Sequence, residues 1–203
     1  MIKIYRLRKF IQDMTRVVDE VGGDEFKLVT RGRGLLEKLV ADDDWLPNSC
    51  AKPNKERYQQ FLLYCDPYER FSMVSFVWGP GQSTPVHDHM TWGLIGMLRG
   101  AEDSTNYEFK ENGKGLVKTD IMRLKPGDVI FVSPTVGDIH AVANAHKDAP
   151  SISIHVYGAN IGAIRRHIYD SKSGESSLFI SGYTNTQVPN LWDRSQETLA
   201  PAS

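Results

Sequence analysis

The sequence predicts a single, mainly β domain, a small barrel or sandwich with N-terminal helices packed on its outside. Three observations predict it. The 203 residues suffice for one hydrophobic core and are few for two. The first 50 residues carry apolar side chains at helical spacing. After Pro53, short β-rich runs are separated by Gly, Pro, Asn and Asp clusters at intervals of roughly 8–12 residues. No long helical period interrupts them, which is the texture of a closed or two-layered sheet.

In the first helix Leu7, Phe10, Ile11, Met14, Val17 and Val18 fall on one face. Gly22-Gly23 ends it, and Asp24 is placed to cap a second helix that contains Leu35, Leu36, Leu39 and Val40. That helix runs out near Asp42-Asp43-Asp44 and Pro47. Strands are expected over 57–65, 70–78, 85–89, 92–99, 105–110, 116–123, 128–132, 138–143, 151–157 and 161–169. The turns between them include Gly79-Pro80-Gly81, Glu111-Asn112-Gly113, Lys125-Pro126-Gly127 and the stretch from Asn144 to Pro150. The expected division of the single domain 1–203 is a helical segment over 1–50, a β-barrel over 55–170 and a C-terminal extension over 171–203. That extension turns polar from Asn185 and runs over the surface.

The charge balance excludes some functions. Lys plus Arg (24) nearly equals Asp plus Glu (25), for a formal charge of -1, so nothing attracts nucleic acid or an anionic membrane. Apolar runs are as short as Phe61–Leu63, too short to cross a bilayer. The stretch from Met1 to Lys9 lacks the apolar centre of a secretory signal. Cys50 and Cys65 lack paired metal spacing and read as reduced thiols of a cytoplasmic protein, with a single disulfide between them left open.

The sharpest local signal is Pro85-Val86-His87-Asp88-His89. Residues i and i+2 of a strand share a face, so His87 and His89 aim two imidazoles at one point. Alone, such a pair is either a metal site or a solvated or core-satisfied pair. A second block runs Gly127-x6-Pro134-x2-Gly137-x2-His140-x3-Asn144, with His140 in a β-rich stretch. Together the blocks resemble the paired motifs of the cupin superfamily, through Gly81, His87, His89 and a closing Gly100 in the first and His140 in the second. The resemblance implies a jelly-roll-like cupin barrel with a metal inside. The usual glutamate ligand after the second histidine is missing, because that region reads Met90-Thr91-Trp92-Gly93. The implied site is three neutral imidazoles, which leave a divalent ion its charge and several open positions. A structural zinc site would fill its positions with protein ligands.

Residues 151–158 read Ser-Ile-Ser-Ile-His-Val-Tyr-Gly. Ile152, Ile154 and Val156 share one face, and Ser153, His155 and Tyr157 the other. The polar row is either the wet face of an edge strand or, inside a barrel, a hydrogen-bonded relay aimed at the metal. With His-x-His, the absent glutamate and the distant His140, it resembles the thiol dioxygenase family of the cysteine dioxygenase type, over about residues 55–170. The resemblance implies Fe(2+) on His87, His89 and His140, a supporting triad of Ser153, His155 and Tyr157, and a small thiol and O2 as partners. It leaves room for a homo-oligomer. The animal enzymes carry a cysteine after the second ligand that cross-links to the tyrosine. Gly93 stands there, so Tyr157 is expected unmodified.

The substrate end departs from the animal pattern. Those enzymes place an arginine two residues after a tyrosine on an early strand, where this chain has Tyr58-Gln59-Gln60. Gln60 can hydrogen-bond a carboxylate but cannot neutralise it. Arg166, expected on a strand face with Ile164 and Ile168, needs an anionic partner if buried, either an internal Asp or Glu or the substrate carboxylate. This Gln-for-Arg exchange with a later arginine resembles the bacterial 3-mercaptopropionate dioxygenase branch. Trp78 and Trp92 are candidates to dry the pocket or plain core residues. Competing readings are another metallo-cupin such as a zinc or manganese isomerase, a ligand-sensing cupin without catalysis, and a β-sandwich with chance histidines.

Overall fold

The computed structural model describes residues 2–111 and 113–195. Two helices, α1 (Tyr5–Val21) and α2 (Glu25–Val40), precede the sheet strands. The strands are β1 (Gln59–Cys65), β2 (Ser72–Trp78), β3 (Val86–His87), β4 (Gly93–Arg99), β5 (Glu102–Phe109), β6 (Leu116–Leu124), β7 (Val129–Val132), β8 (His140–Asn144), β9 (Ser151–Tyr157), β10 (Arg166–Tyr169) and β11 (Ser176–Phe179). They form a five-stranded sheet ordered β1-β2-β9-β4-β7 and a six-stranded sheet ordered β11-β10-β3-β8-β5-β6. The named strands pair antiparallel throughout. Two facing antiparallel sheets make the mainly β, cupin-type fold that the sequence predicts.

The helices decide which side of the five-stranded sheet is inside. The α1 stripe of Leu7, Phe10, Ile11, Met14, Val17 and Val18 is buried, as its spacing requires. Gly22 ends α1 at φ 63°, and the Asp24 side chain accepts from the Lys27 N–H to cap α2. Both helices pack on Met73 and Val77 of β2, Leu94 and Leu98 of β4, and Ile152, Ile154 and Val156 of β9, all in one cluster. Glycines let α2 approach this closely. A Cβ on Gly96 would sit 2.9 Å from Leu36 Cγ, and one on Gly32 2.8 Å from Leu94 Cδ1. With the apolar face of β9 spent on the helices, Ser153, His155 and Tyr157 must point into the barrel. All three are buried, so the wet-edge alternative does not apply.

Three departures from the expected strands bear on the site. β3 covers only Val86–His87, and His89 lies beyond it. Residues 161–165 lie outside any strand, with a turn over 161–163, so Ile164 does not share a strand face with Arg166. β11 lies inside the segment read as a surface extension and pairs with β10, Arg166 opposite Phe179. Its four mostly exposed residues carry no apolar alternation, so no local signal marks it. Cys50 and Cys65 are free thiols. No described helix is long and apolar enough to cross a membrane.

Candidate active site

His87, His89 and His140 are buried, and their ligating nitrogens lie within 4.8 Å of one another. His87 sits on β3 directly across from His140 at the start of β8. Each ring spends its Nδ1 on a neighbour. That of His87 meets the Pro85 carbonyl at 3.1 Å, that of His89 the Asp138 carboxylate at 2.7 Å, and that of His140 the Ser104 hydroxyl at 3.2 Å. The three Nε2 atoms are left to converge, and His89 Nε2 is buried without a partner. Burial, with mutual repulsion, pushes His87 down to about 3 and His140 well below the usual imidazole range, so these two rings are neutral at physiological pH. Three imidazoles oriented toward one point, His87 and His140 among them neutral, fit a divalent transition metal.

Strand periodicity does not aim His89. Asp138 does, by accepting from the backbone N–H of His89 and of Met90, each at 2.9 Å, as well as from the ring. Burial alone would raise Asp138, but these bonds hold its carboxyl below the usual range. Asp88, between the two ligands, points the other way. It accepts from His167 N–H, His167 Nδ1–H and Tyr169 O–H, each at 2.8 Å, and so ties β3 to β10.

The polar row of β9 is one continuous chain. Ser153 Oγ lies 2.8 Å from His155 Nε2, and His155 Nδ1 lies 2.7 Å from the Tyr157 hydroxyl. The Tyr157 ring stacks on His89 with centroids 5.4 Å apart, which brings the end of the chain to the histidine cluster. Burial lowers His155 and raises the Tyr157 phenol, so both are neutral. Trp78 joins Tyr157, Val74, Phe76 and Ile161 in the apolar lining and donates to Ser153 Oγ at 3.4 Å. Trp92 packs instead in the cluster under the helices.

Beside this centre is a pocket of about 330 Å³, lined by His87, Arg166, Gln60, Tyr58, Phe179 and Ser181 among others. Arg166 is only 3% exposed. One of its NH2 groups donates to Ser181 Oγ at 2.7 Å, and its guanidinium lies 4.6 Å above the Phe179 ring. Its Nε has no partner, and among the described residues no carboxylate ion-pairs with it. Gln60 is held through its backbone, its N–H donating to Thr184 Oγ1 at 2.9 Å and its carbonyl accepting the Thr184 N–H at 2.8 Å. A larger, more open depression of about 510 Å³ between β6, β7 and α2 shares only Ser104 with the residues above.

The family model for cysteine dioxygenase type I matches residues 40–172, which span the helix end, both histidine blocks and β9. The chain belongs to the cysteine dioxygenase type I family. Cysteine dioxygenase type 1 of Rattus norvegicus is 22% identical over 171 residues, covering 82% of each chain. That of Danio rerio is 20% identical over 188 residues, covering 91% of this chain and 87% of its own. Among solved structures, an uncharacterized protein with a double-stranded β-helix domain from Klebsiella pneumoniae aligns at TM-score 0.45 and 15% identity. That alignment covers 66% of this chain and 88% of the other.

Within this cysteine dioxygenase-type site, Gly93 stands directly across from Tyr157 on neighbouring strands. A Cβ there would come within 2.9 Å of the Tyr157 ring, so only glycine leaves the phenol its present seat. The structure thus gathers His87, His89, His140, Ser153, His155, Tyr157, Arg166 and Gln60 into one region. Asp138, Ser104, Phe179 and Ser181 belong there too and escaped the sequence reading. A carboxylate two positions before His140 was the available signal for Asp138. Phe179 and Ser181 had none, because they lie on a strand and loop without local patterning.

Proposed function

We propose that this protein is a non-haem Fe(2+) thiol dioxygenase that adds both atoms of O2 to the sulfur of a small thiol carboxylate, giving the sulfinic acid. The observation that carries the reading is Arg166, a buried cation that among the described residues ion-pairs with no carboxylate, in the same pocket as His87 of a three-histidine centre. Ferrous iron on His87, His89 and His140 would supply a centre with open positions for a thiolate and for O2. The free guanidinium edge of Arg166 binds the substrate carboxylate and fixes the thiol at the histidine end of the pocket. The Tyr157 hydroxyl, held by His155, supplies a hydrogen bond at the reacting end. Phe76, Trp78 and Tyr58 line that side and exclude water. The sulfur loses four electrons and O2 gains four, so no external reductant is needed.

We favour 3-mercaptopropionate over L-cysteine. Among the described residues, the charged side chains that line the pocket are cationic, Arg57 and Arg166, and no Asp or Glu lines it. The ammonium of cysteine therefore finds no anionic partner, whereas a thiol acid without an amine meets Arg166 at no such cost. The test is oxygen consumption by the iron-loaded protein with each thiol, with mass spectrometry of the product. Faster uptake with 3-mercaptopropionate and a product heavier by two oxygen atoms is expected. A preference for cysteine would overturn the substrate assignment. No uptake with either thiol would overturn the dioxygenase reading in favour of another metallo-cupin chemistry.

A further inference from the structure

The two ends of the proposed substrate are held from two neighbouring strands, with His87 of the histidine centre on β3 and Arg166 on β10. Among the described residues β10 has two sheet neighbours, β11 on one side and β3 on the other. The β11 side gives Arg166 its contacts with Phe179 and Ser181. The span from Arg166 to the centre therefore depends on the seam between β10 and β3. That seam is short, because its ladder holds two residue pairs, Ile168 with His87 and Tyr169 with Val86. Alternation puts Arg166 and Ile168 on one face of β10, and both line the pocket with His87. His167 and Tyr169 fall on the other face.

Asp88 carries the seam one residue beyond the point where regular pairing stops. Its backbone N–H donates to the His167 carbonyl at 3.1 Å. In place of a backbone carbonyl, its own Oδ1 accepts the His167 N–H at 2.8 Å. Its Oδ2 accepts from His167 Nδ1–H and from the Tyr169 hydroxyl, each at 2.8 Å. Asp88 is buried, so water does not compete for these bonds. None of the four involves a ligand histidine. The ligand rings are seated by other groups, the Pro85 carbonyl, Asp138 and Ser104. We infer that Asp88 is a positioning residue that sets the span between the histidine centre and the Arg166 guanidinium, so that the sulfur and the carboxylate of one substrate seat together, an inference that rests on Arg166 as the carboxylate site proposed above. Two residue pairs specify a register weakly, and one residue of slip moves a strand by about 3.3 Å. The four bonds of Asp88 pin that register from the face opposite the pocket. Without them Arg166 shifts against His87, and a thiol acid gains from one end only by losing at the other.

The test uses zinc-loaded protein, titrated calorimetrically with 3-mercaptopropionate and with 1-propanethiol, which lacks the carboxylate. The ratio of the two dissociation constants is the carboxylate preference. Asp88→Ala should lower it about tenfold, while propanethiol affinity and zinc stoichiometry stay within about twofold. Asp88→Asn, whose amide oxygen still accepts the His167 N–H, should recover most of the preference. In an Arg166→Met background Asp88→Ala should change the preference by less than about twofold, because Asp88 acts through Arg166. Should Asp88→Ala not fold, Tyr169→Phe removes a single bond from the seam and should lower the preference about threefold. An unchanged preference in these variants, an equal loss for both thiols, or the same loss with and without Arg166 overturns the inference. A wild type without any carboxylate preference overturns Arg166 as the carboxylate site and the inference with it. The expected losses in a protein that, loaded with iron, takes up no oxygen with either thiol uphold the role of Asp88 and overturn the dioxygenase reading instead.

Discussion

Arg166 offers the most demanding test of the proposed pocket, and Arg166→Met is the perturbation of choice. Methionine keeps the unbranched apolar stem of the side chain but removes the guanidinium and its charge. For the substrate-free fold the effects nearly cancel. The variant loses a hydrogen bond to Ser181, worth about 1.5–3 kcal/mol for a charged donor, and a stacking contact over Phe179 worth about 0.5–2 kcal/mol. Against this, it no longer buries a cation without an anionic partner, a penalty of several kcal/mol. The net change should be within about 1 kcal/mol, or an unfolding midpoint shift of about 2–4 °C for a chain of this size. With substrate the balance is one-sided, because the carboxylate loses the buried cation proposed to hold it and is left desolvated. A loss of about 2.7–4 kcal/mol corresponds to a fall of about 100- to 1000-fold in kcat/KM for 3-mercaptopropionate. Oxygen-electrode kinetics and thermal unfolding measured on the same preparation check both halves. An unfolding midpoint lowered by about 10 °C or more would show Arg166 to be a structural cation and refute the reasoning. Unchanged kcat/KM in a stable variant would do the same from the other side.

Two further outcomes follow from the geometry. Asp138→Asn keeps the shape but loses the charge that holds His89 through its ring, so iron affinity should fall about 10- to 100-fold in a competitive chelator titration; unchanged affinity would remove Asp138 from the site. The metal-free protein should lose stability in acid. Burial holds His87 (at about 3), His140 and His155 below the unfolded value of 6.5, so as pH falls from 6.5 toward 3 the unfolded chain takes up protons that the fold refuses. Stability is complete above that window and falls within it by up to about 1.4 kcal/mol per pH unit for each histidine. Urea unfolding of the metal-free chain at a series of pH values measures this, and a flat profile would mean that the rings are not neutral in the fold.

Much of this site was legible locally. His87 and His89, two apart, and Ser153, His155 and Tyr157, at strand alternation, share faces because of backbone periodicity alone. The α1 stripe and the Asp24 cap follow from equally short-range rules. His140 came within reach through the spacing of its glycines, proline and asparagine. Periodicity says which side chains share a face but not which face is inside. For β9 that was decided by α1 and α2, which cover Ile152, Ile154 and Val156 and drive the polar row into the barrel. The aim of His89 was likewise not a property of its strand, which ends at His87, but of Asp138 some 50 residues away. The tail escaped for the same reason, since Phe179 and Ser181 have no pattern of their own until β11 pairs with β10 and seats them around Arg166. The sequence by itself determined the kind of chemistry, through three histidines without a carboxylate and a hydroxyl-imidazole-phenol row. Only closure of the two sheets decided that Arg166, which among the described residues ion-pairs with no carboxylate, shares a pocket with His87 and Gln60. Those residues come from segments far apart in the chain, and no periodicity encodes their meeting.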